Sequence, residues 1–445
     1  MFENSLWALL PTLVVLAVAI KSHRPVFSLM CGSLIAVAML APADPLTHLY
    51  DITLAVMAND TIGWLIVTVG LFGSLIALLV SSGSALAFSN ALAARVKTRQ
   101  GSLLMTWLLG IIIFIDDYLN ALTVSSSMRK VTDQKGVSRQ MLAYVVDATS
   151  APICVLIPLS TWAIYYAGLL EENGAAAAGE GMMAYINAIP YMLYPIIALI
   201  LVPLVAMGIA PLMGKMKQAE ADPQAFGELD EDGEEAVVHN DKASIWHFAL
   251  PLAVLIGVTI ATGVNVTIGV ATAIVVTLAF YQFSGLMKFG EALDHIGEGL
   301  KGMVIPLAIV TSSFILKEAN DQLKMTEYVI AVAEPVMSGA WIPALSFIIV
   351  ALLAFATGSF WGVFAVAAPI ILPLAMAADA NMPLVIGAMV SACAAGSHAC
   401  FYGDSTVLSA KGSGCTVMSH ALTQLPYVLL VSAISIVGYL VLGML

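Results

Sequence analysis

Between Gln100 and Met128 the chain carries only two charges, Asp116 and Asp117, side by side in the run IIIFIDDYLNALTV at residues 111–124. An aspartate at the centre of a membrane helix costs about 2.5–3.5 kcal/mol on insertion scales, so two adjacent ones need a compensating partner. The surrounding sequence offers no Lys or Arg, which leaves a metal cation or a proton. Unbroken, residues 103–128 would make a helix about 39 Å long, with its polar interruption at the middle. A broken helix or a re-entrant hairpin fits this stretch better.

The rest of the chain fixes the solvent. Of its 445 residues 60% are hydrophobic and only 10% charged, against about 25% charged in an ordinary soluble domain. Apolar runs near the roughly 20 residues that cross a bilayer follow one another from end to end. The first, residues 6–20, lacks a basic leader and a small-residue cleavage site, and reads as a span. The sequence therefore predicts an all-α polytopic membrane protein with about 10–14 membrane segments. Formal net charge is −12, but residues 218–241 hold nine Asp/Glu and no Lys or Arg, so the acidity belongs to one linker. The five cysteines, Cys31, Cys154, Cys393, Cys400 and Cys415, are scattered and suggest neither disulfides nor a thiolate metal site. No GxxxxGK[ST] loop is present, which argues against ATP hydrolysis and against an enzyme of that kind. Nothing suggests a cofactor or a nucleic-acid partner; the partners expected are the lipid bilayer and a small ion or solute.

The second half repeats the order of the first. Amphipathic pieces fall at residues 44–60 and 284–300, a clean span follows each, and matched positions lie 239 (Gly63 and Gly302), 241 (Phe114 and Phe355) and 244 (Ser160 and Asp404) apart. The expected units are a first repeat at 1–214, an acidic linker at 215–243 and a second repeat at 244–445. Basic loops at 21–24, 95–99, 129–139 and 215–217 should face the cytoplasm. That rule places the N-terminus outside, the linker inside, and an odd number of spans before the linker. The repeats then have inverted topology, with sites near the midplane at discontinuous helices.

Four polar clusters interrupt the apolar runs at matching places. Asp116, Asp117, Asn120 and Thr123 form the first, with Asn120 three and four residues beyond the carboxylates and able to share a helical face with them. Asp147 and Ser150, with Ser160 and Thr161, lie in DATSAPICVLIPLSTW, where Pro152 and Pro158 mark a second discontinuity. Thr357 and Ser359 form the third. Ser397, His398, Tyr402, Asp404 and Ser405 form the fourth. Hard cations take oxygen ligands, and these clusters supply carboxylates, amides, hydroxyls and carbonyls. Asp116, Asp117, Asn120, Thr123, Asp147, Thr357 and Asp404 are the candidate cation ligands, with Na⁺ placed at Asp116, Asp117 and Asn120. Ser150, Ser160, Thr161, Ser359, Ser397, His398, Tyr402 and Ser405 are candidates for a substrate. The bland alternative is that the small hydroxyl residues serve close helix packing.

These motifs carry a resemblance. FIDDYLNALTV at 114–124, MRKVTDQKGVSR at 128–139, DATSAPICVLIPLSTW at 147–162 and GDSTVLS at 403–409 are similar to those of the NhaC-type family of bacterial Na⁺/H⁺ antiporters, in the ion transporter superfamily. The resemblance implies inverted repeats with broken helices, a homodimer, elevator-like alternating access, and multi-pass insertion in the bacterial inner membrane. Family members often read GDHCSPISDTT in the second half, where this chain has GSHACFYGDST from Gly396. The six-residue separation of His398 and Asp404 is kept, a carboxylate becomes Ser397, and Phe401 and Tyr402 are gained. The expectation is a secondary transporter coupling Na⁺ or H⁺, antiporter-like. The alternative is a Na⁺-coupled carrier of a small organic solute such as an amino acid or organic acid. An ion channel and an intramembrane aspartyl protease fit the sequence less well.

Overall fold

The structure is a computed structural model. It describes residues 4–22, 24–222, 238, 240–263, 265–325, 327, 328, 331, 339–357, 360–401 and 403–445. Among the described residues twelve α-helices lie before residue 222: α1 Leu10–Ser22, α2 Pro25–Leu40, α3 Pro45–Met57, α4 Asp60–Ser81, α5 Ser84–Ala93, α6 Arg99–Ile112, α7 Asp117–Gln134, α8 Arg139–Leu156, α9 Thr161–Glu172, α10 Gly181–Ala188, α11 Leu193–Ala206 and, within the linker, α12 Gly214–Ala221. Among the described residues nine follow it: α13 Ile245–Ala261, α14 Val266–Ser284, α15 Phe289–Gly302, α16 Val304–Gln322, α17 Ile342–Thr357, α18 Phe360–Ala377, α19 Met382–Ala399, α20 Asp404–Ser413 and α21 Val417–Met444.

The internal repeat is visible in these boundaries. Helices α17, α18, α19 and α20 begin 243 residues after α6, α7, α8 and α9 respectively, and α15 and α16 begin 244 after α3 and α4. Both amphipathic pieces are short helices, and each packs on the span of the other half. Ser74 on α4 donates to the Ile296 carbonyl on α15 at 3.3 Å, and His48 on α3 meets Gln322 on α16 at 2.9 Å. Gly73 and Gly299 permit the first crossing. A Cβ on Gly73 would stand 2.5 Å from the Gly299 carbonyl oxygen, and one on Gly299 would stand 2.3 Å from that of Gly73.

By length and composition five described helices could each cross a membrane, or up to eight segments if each bent helix pair is one span. Further apolar helices among the described residues are shorter, at 10–17 residues.

The first two polar breaks sit on a hairpin and on a bent span. Glu220 on α12 pairs with Arg99 at the start of α6, and accepts from the Ser138 amide (2.9 Å) and hydroxyl (2.5 Å) beyond the end of α7. The α6–α7 pair thus enters and leaves at one face, the basic one, with residues 113–116 at its tip. The next span, α8 into α9, bends by 45° at residues 157–160 and carries the chain from Arg139 at that face to Glu172 at the other. In the second half the α17–α18 hairpin opens at the Glu172 face: Gly339 lies against Ala378 and Ala380, and Pro369 and Pro373 line a cavity with Glu171, Glu172 and Lys317. Helix α20 ends at the basic face, where Arg139 donates to the Gly414 carbonyl at 3.1 Å. The two hairpins therefore enter from opposite faces, as inverted repeats require.

Candidate functional site

The tip of the first hairpin meets the bend of α8–α9. Helix α6 runs out at Ile112, and Asp116 starts α7 as its N-cap, accepting from the amides of Tyr118 (3.0 Å) and Leu119 (3.1 Å). A cap of this kind satisfies amides that have no partner inside the helix. The gap is tied shut by Asn120, whose amide nitrogen donates to the carbonyls of Gly110 (2.6 Å) and Ile113 (2.9 Å). Across the crossing, the Thr161 amide donates to the Ile115 carbonyl at 3.2 Å, and the Cys154 thiol to that of Phe114 at 3.1 Å. The backbone freed by each break is thus largely met by the other, which lets two interruptions coexist inside a membrane protein.

Both carboxylates point into this junction. Thr161 donates to Asp116 at 3.3 Å, and the indole nitrogen of Trp162 donates to Asp117 at 3.0 Å. Asp116 is 6% exposed, Asp117 1% and Asn120 0%. The Asn120 side-chain carbonyl oxygen is buried with no hydrogen-bond partner among the described residues. The N-termini of α7 and α9 converge here, and their partial positive charge favours the carboxylates. Thr123 is buried one turn further along α7. The Ser160 hydroxyl, a substrate candidate in the sequence, instead bridges the bend: it donates to the Cys154 carbonyl at 2.5 Å and accepts from the Ala163 amide at 3.1 Å.

Asp147 belongs to a second centre, built by α8, α11, α19, α20 and α21. One carboxylate oxygen takes His420 (3.1 Å), Gln424 (2.9 Å) and Thr406 (3.3 Å), with the His398 ring at 4.0 Å. Gln424 also donates to the His398 carbonyl at 2.8 Å, and the Tyr194 hydroxyl meets the other nitrogen of His398 at 2.7 Å. Asp147, His398, His420 and Gln424 are all buried. Ser150, Ser397 and Ser405 are buried too, each hydroxyl without a partner among the described residues.

Ser359 and Tyr402 lie outside the described residues, as do the side chains of Thr357 and Asp404; the backbone of Asp404 opens α20. Sequence reasoning missed Trp162, Tyr194, Thr406, His420 and Gln424. The last two stand four residues apart just ahead of the apolar run at 425–445, and α21 takes them in because it begins at Val417. Among the described residues no group of three or more His, Cys, Asp or Glu could hold a metal ion. A cation at the hairpin tip would therefore use amide and hydroxyl oxygens beside the carboxylates.

A broken-helix crossing with buried carboxylates inside an inverted repeat is the architecture of a membrane transporter. Residues 153–444 match the model of the Na⁺/H⁺ antiporter family, and the chain belongs to that family. An uncharacterized protein of Haemophilus influenzae is 28% identical over 488 aligned positions, covering 99% of this chain and 92% of that one. Two solved structures share the fold. The YdaH transporter of Alcanivorax borkumensis superposes with a TM-score of 0.69 at 12% identity, over 94% of this chain and 97% of that one. MtrF of Neisseria gonorrhoeae, described within a class of antimetabolite efflux pumps, gives 0.62 at 15% identity, over 91% and 85%. The chain is a multi-pass membrane protein of the secondary transporter class, as the sequence led us to expect.

Proposed function

We propose that this transporter couples the movement of Na⁺, in exchange for H⁺, to alternating access of the crossing between the α6–α7 tip and the α8–α9 bend. The observation that carries the reading is the pair of buried carboxylates at that crossing, held by Thr161 and Trp162. Asp117 and Asn120 are the first cation ligands, with Asp116 contributing charge while capping α7. A proton can neutralise the same carboxylates, so Na⁺ and H⁺ exclude one another there, which is sufficient for exchange. Asp147, Asp404, Thr357 and the second-half hydroxyl residues complete the path across the two repeats, 1–214 and 244–445, joined by the 215–243 linker.

Elevator-like movement of the hairpins against the remaining spans, a homodimer, and insertion in the inner membrane with the basic face cytoplasmic are parts of the same proposal. Contacts of Glu220, Arg99, Ser138, Arg139 and Gly414 gather several basic loops at one face and support that orientation. The second reading, a Na⁺-coupled carrier of a small organic solute, is favoured by the second centre, where the His398 Nε2 and the Ser397 hydroxyl have no hydrogen-bond partner among the described residues.

Purified protein in proteoliposomes separates the two. With a pH-sensitive dye inside, addition of Na⁺ alone is expected to drive proton flux. Flux that waits for an added amino or organic acid would assign the carrier instead, and no flux in either case would overturn both readings.

A further inference from the structure

Buried hydroxyls on helices of this protein commonly close on the carbonyl four residues back: Ser33, Ser74, Thr106, Thr149, Thr277 and Ser435 all do. Ser409 and Ser413 on α20 have the same option and do not take it. With Ser405 they mark successive turns of one helical face, at most 1% exposed, and none of the three hydroxyls has a partner among the described residues. The neighbours fix where that face looks. A Cβ on Gly412 would stand 2.0 Å from the Ser125 hydroxyl on α7, and Thr406 donates to Asp147 on α8 at 3.3 Å. Positions 405, 409 and 413 fall between those two directions, over the seam between α7 and α8.

Helix α8 contributes to the same seam. The second carboxylate oxygen of Asp147 and the Ser150 hydroxyl, one turn apart, are buried and likewise without a partner among the described residues. A buried hydroxyl without a partner is destabilising and a carboxylate oxygen more so, so a line of them calls for a polar occupant. The helix carrying the three serines ends at Gly414, beside Arg129 and Arg139. From Ser405 to Ser413 the line runs about 12 Å along the helix.

We propose that the α7–α8–α20 seam is a hydrated route for a monovalent cation, joining the broken-helix level to the basic face. Its ligands are hydroxyls and one carboxylate oxygen, an acceptor-rich set suited to water and to a hard cation. The inference rests on the cation-transport reading and goes beyond it by naming the path.

The test uses the full chain with single Ser405→Cys, Ser409→Cys and Ser413→Cys substitutions, in vesicles whose basic face meets the bath. A positively charged methanethiosulfonate should modify Ser413→Cys fastest and Ser405→Cys slowest, each about tenfold or more faster than Ser435→Cys, an equally buried hydroxyl position closed on its own helix. Added Na⁺ should slow modification at Ser405→Cys. Modification no faster than at Ser435→Cys for all three positions would overturn the route, and modification indifferent to Na⁺ would overturn its assignment to a cation. The three positions are read separately, so one variant that fails to accumulate does not silence the others. Failure of the transport reading shows elsewhere, as absent sodium-driven proton flux in the unsubstituted protein.

Discussion

Asp117→Asn is expected to abolish sodium-dependent transport while the protein still inserts and purifies. The side chain is 1% exposed, accepts the Trp162 indole at 3.0 Å and sits at the junction of two broken helices. Asparagine keeps the size and can still accept from the indole, so the fold has little reason to fail. What is lost is the charge that a cation would neutralise. A charge-assisted contact contributes about 3 kcal/mol, equivalent to about a hundredfold in affinity. Asp116→Asn should also lose transport, with its cap retained, because asparagine is as good an N-cap as aspartate. Sodium-driven uptake into proteoliposomes, normalised to inserted protein, measures both. Wild-type rates in both variants would sink the assignment.

The second large effect is on stability. In Asp147→Leu, His420 and Gln424 lose the acceptor that holds them at 3.1 and 2.9 Å, in a region where all three side chains are at most 1% exposed. Removing one partner from a buried charged network costs about 3–5 kcal/mol, because the remaining polar groups stay buried and unpaired. The Leu variant should unfold at distinctly lower temperature than wild type in detergent, as read by the monodisperse fraction after heating. Asp147→Asn, which keeps a hydrogen-bonding oxygen, should recover most of that loss. Equal thermal stability of Asp147→Leu and wild type would show that the network does not hold the α8–α21 contact.

Much of this is legible in the sequence. Asp116 and Asp117 declared themselves because a carboxylate in an apolar run has no cheap explanation, and Pro152 and Pro158 declared the second break. The recurrence of the apolar pattern at 239–244 residues anticipated helix starts at 243 and 244. The partners stayed hidden for a different reason. Trp162 lies 45 residues from Asp117, and His420 lies 273 from Asp147, so only the folded chain brings them together. Trp162 and Tyr194 look like ordinary membrane aromatics in sequence, and VMSHALTQ at 417–424 stands ahead of the apolar run at 425–445. The structure makes it the first two turns of α21, with His420 and Gln424 on the buried side. The role of Ser160 was also invisible, since only the bend shows its hydroxyl closing the gap between half-helices.

The central claim, that the hairpin tip is a cation site, is tested most directly by equilibrium binding of radioactive sodium to the purified wild-type and Asp117→Asn proteins, which needs no assumption about the transported solute. Saturable sodium binding by the wild type that is lost in Asp117→Asn is the predicted result. Equal binding by the two proteins, or none by either, would contradict it.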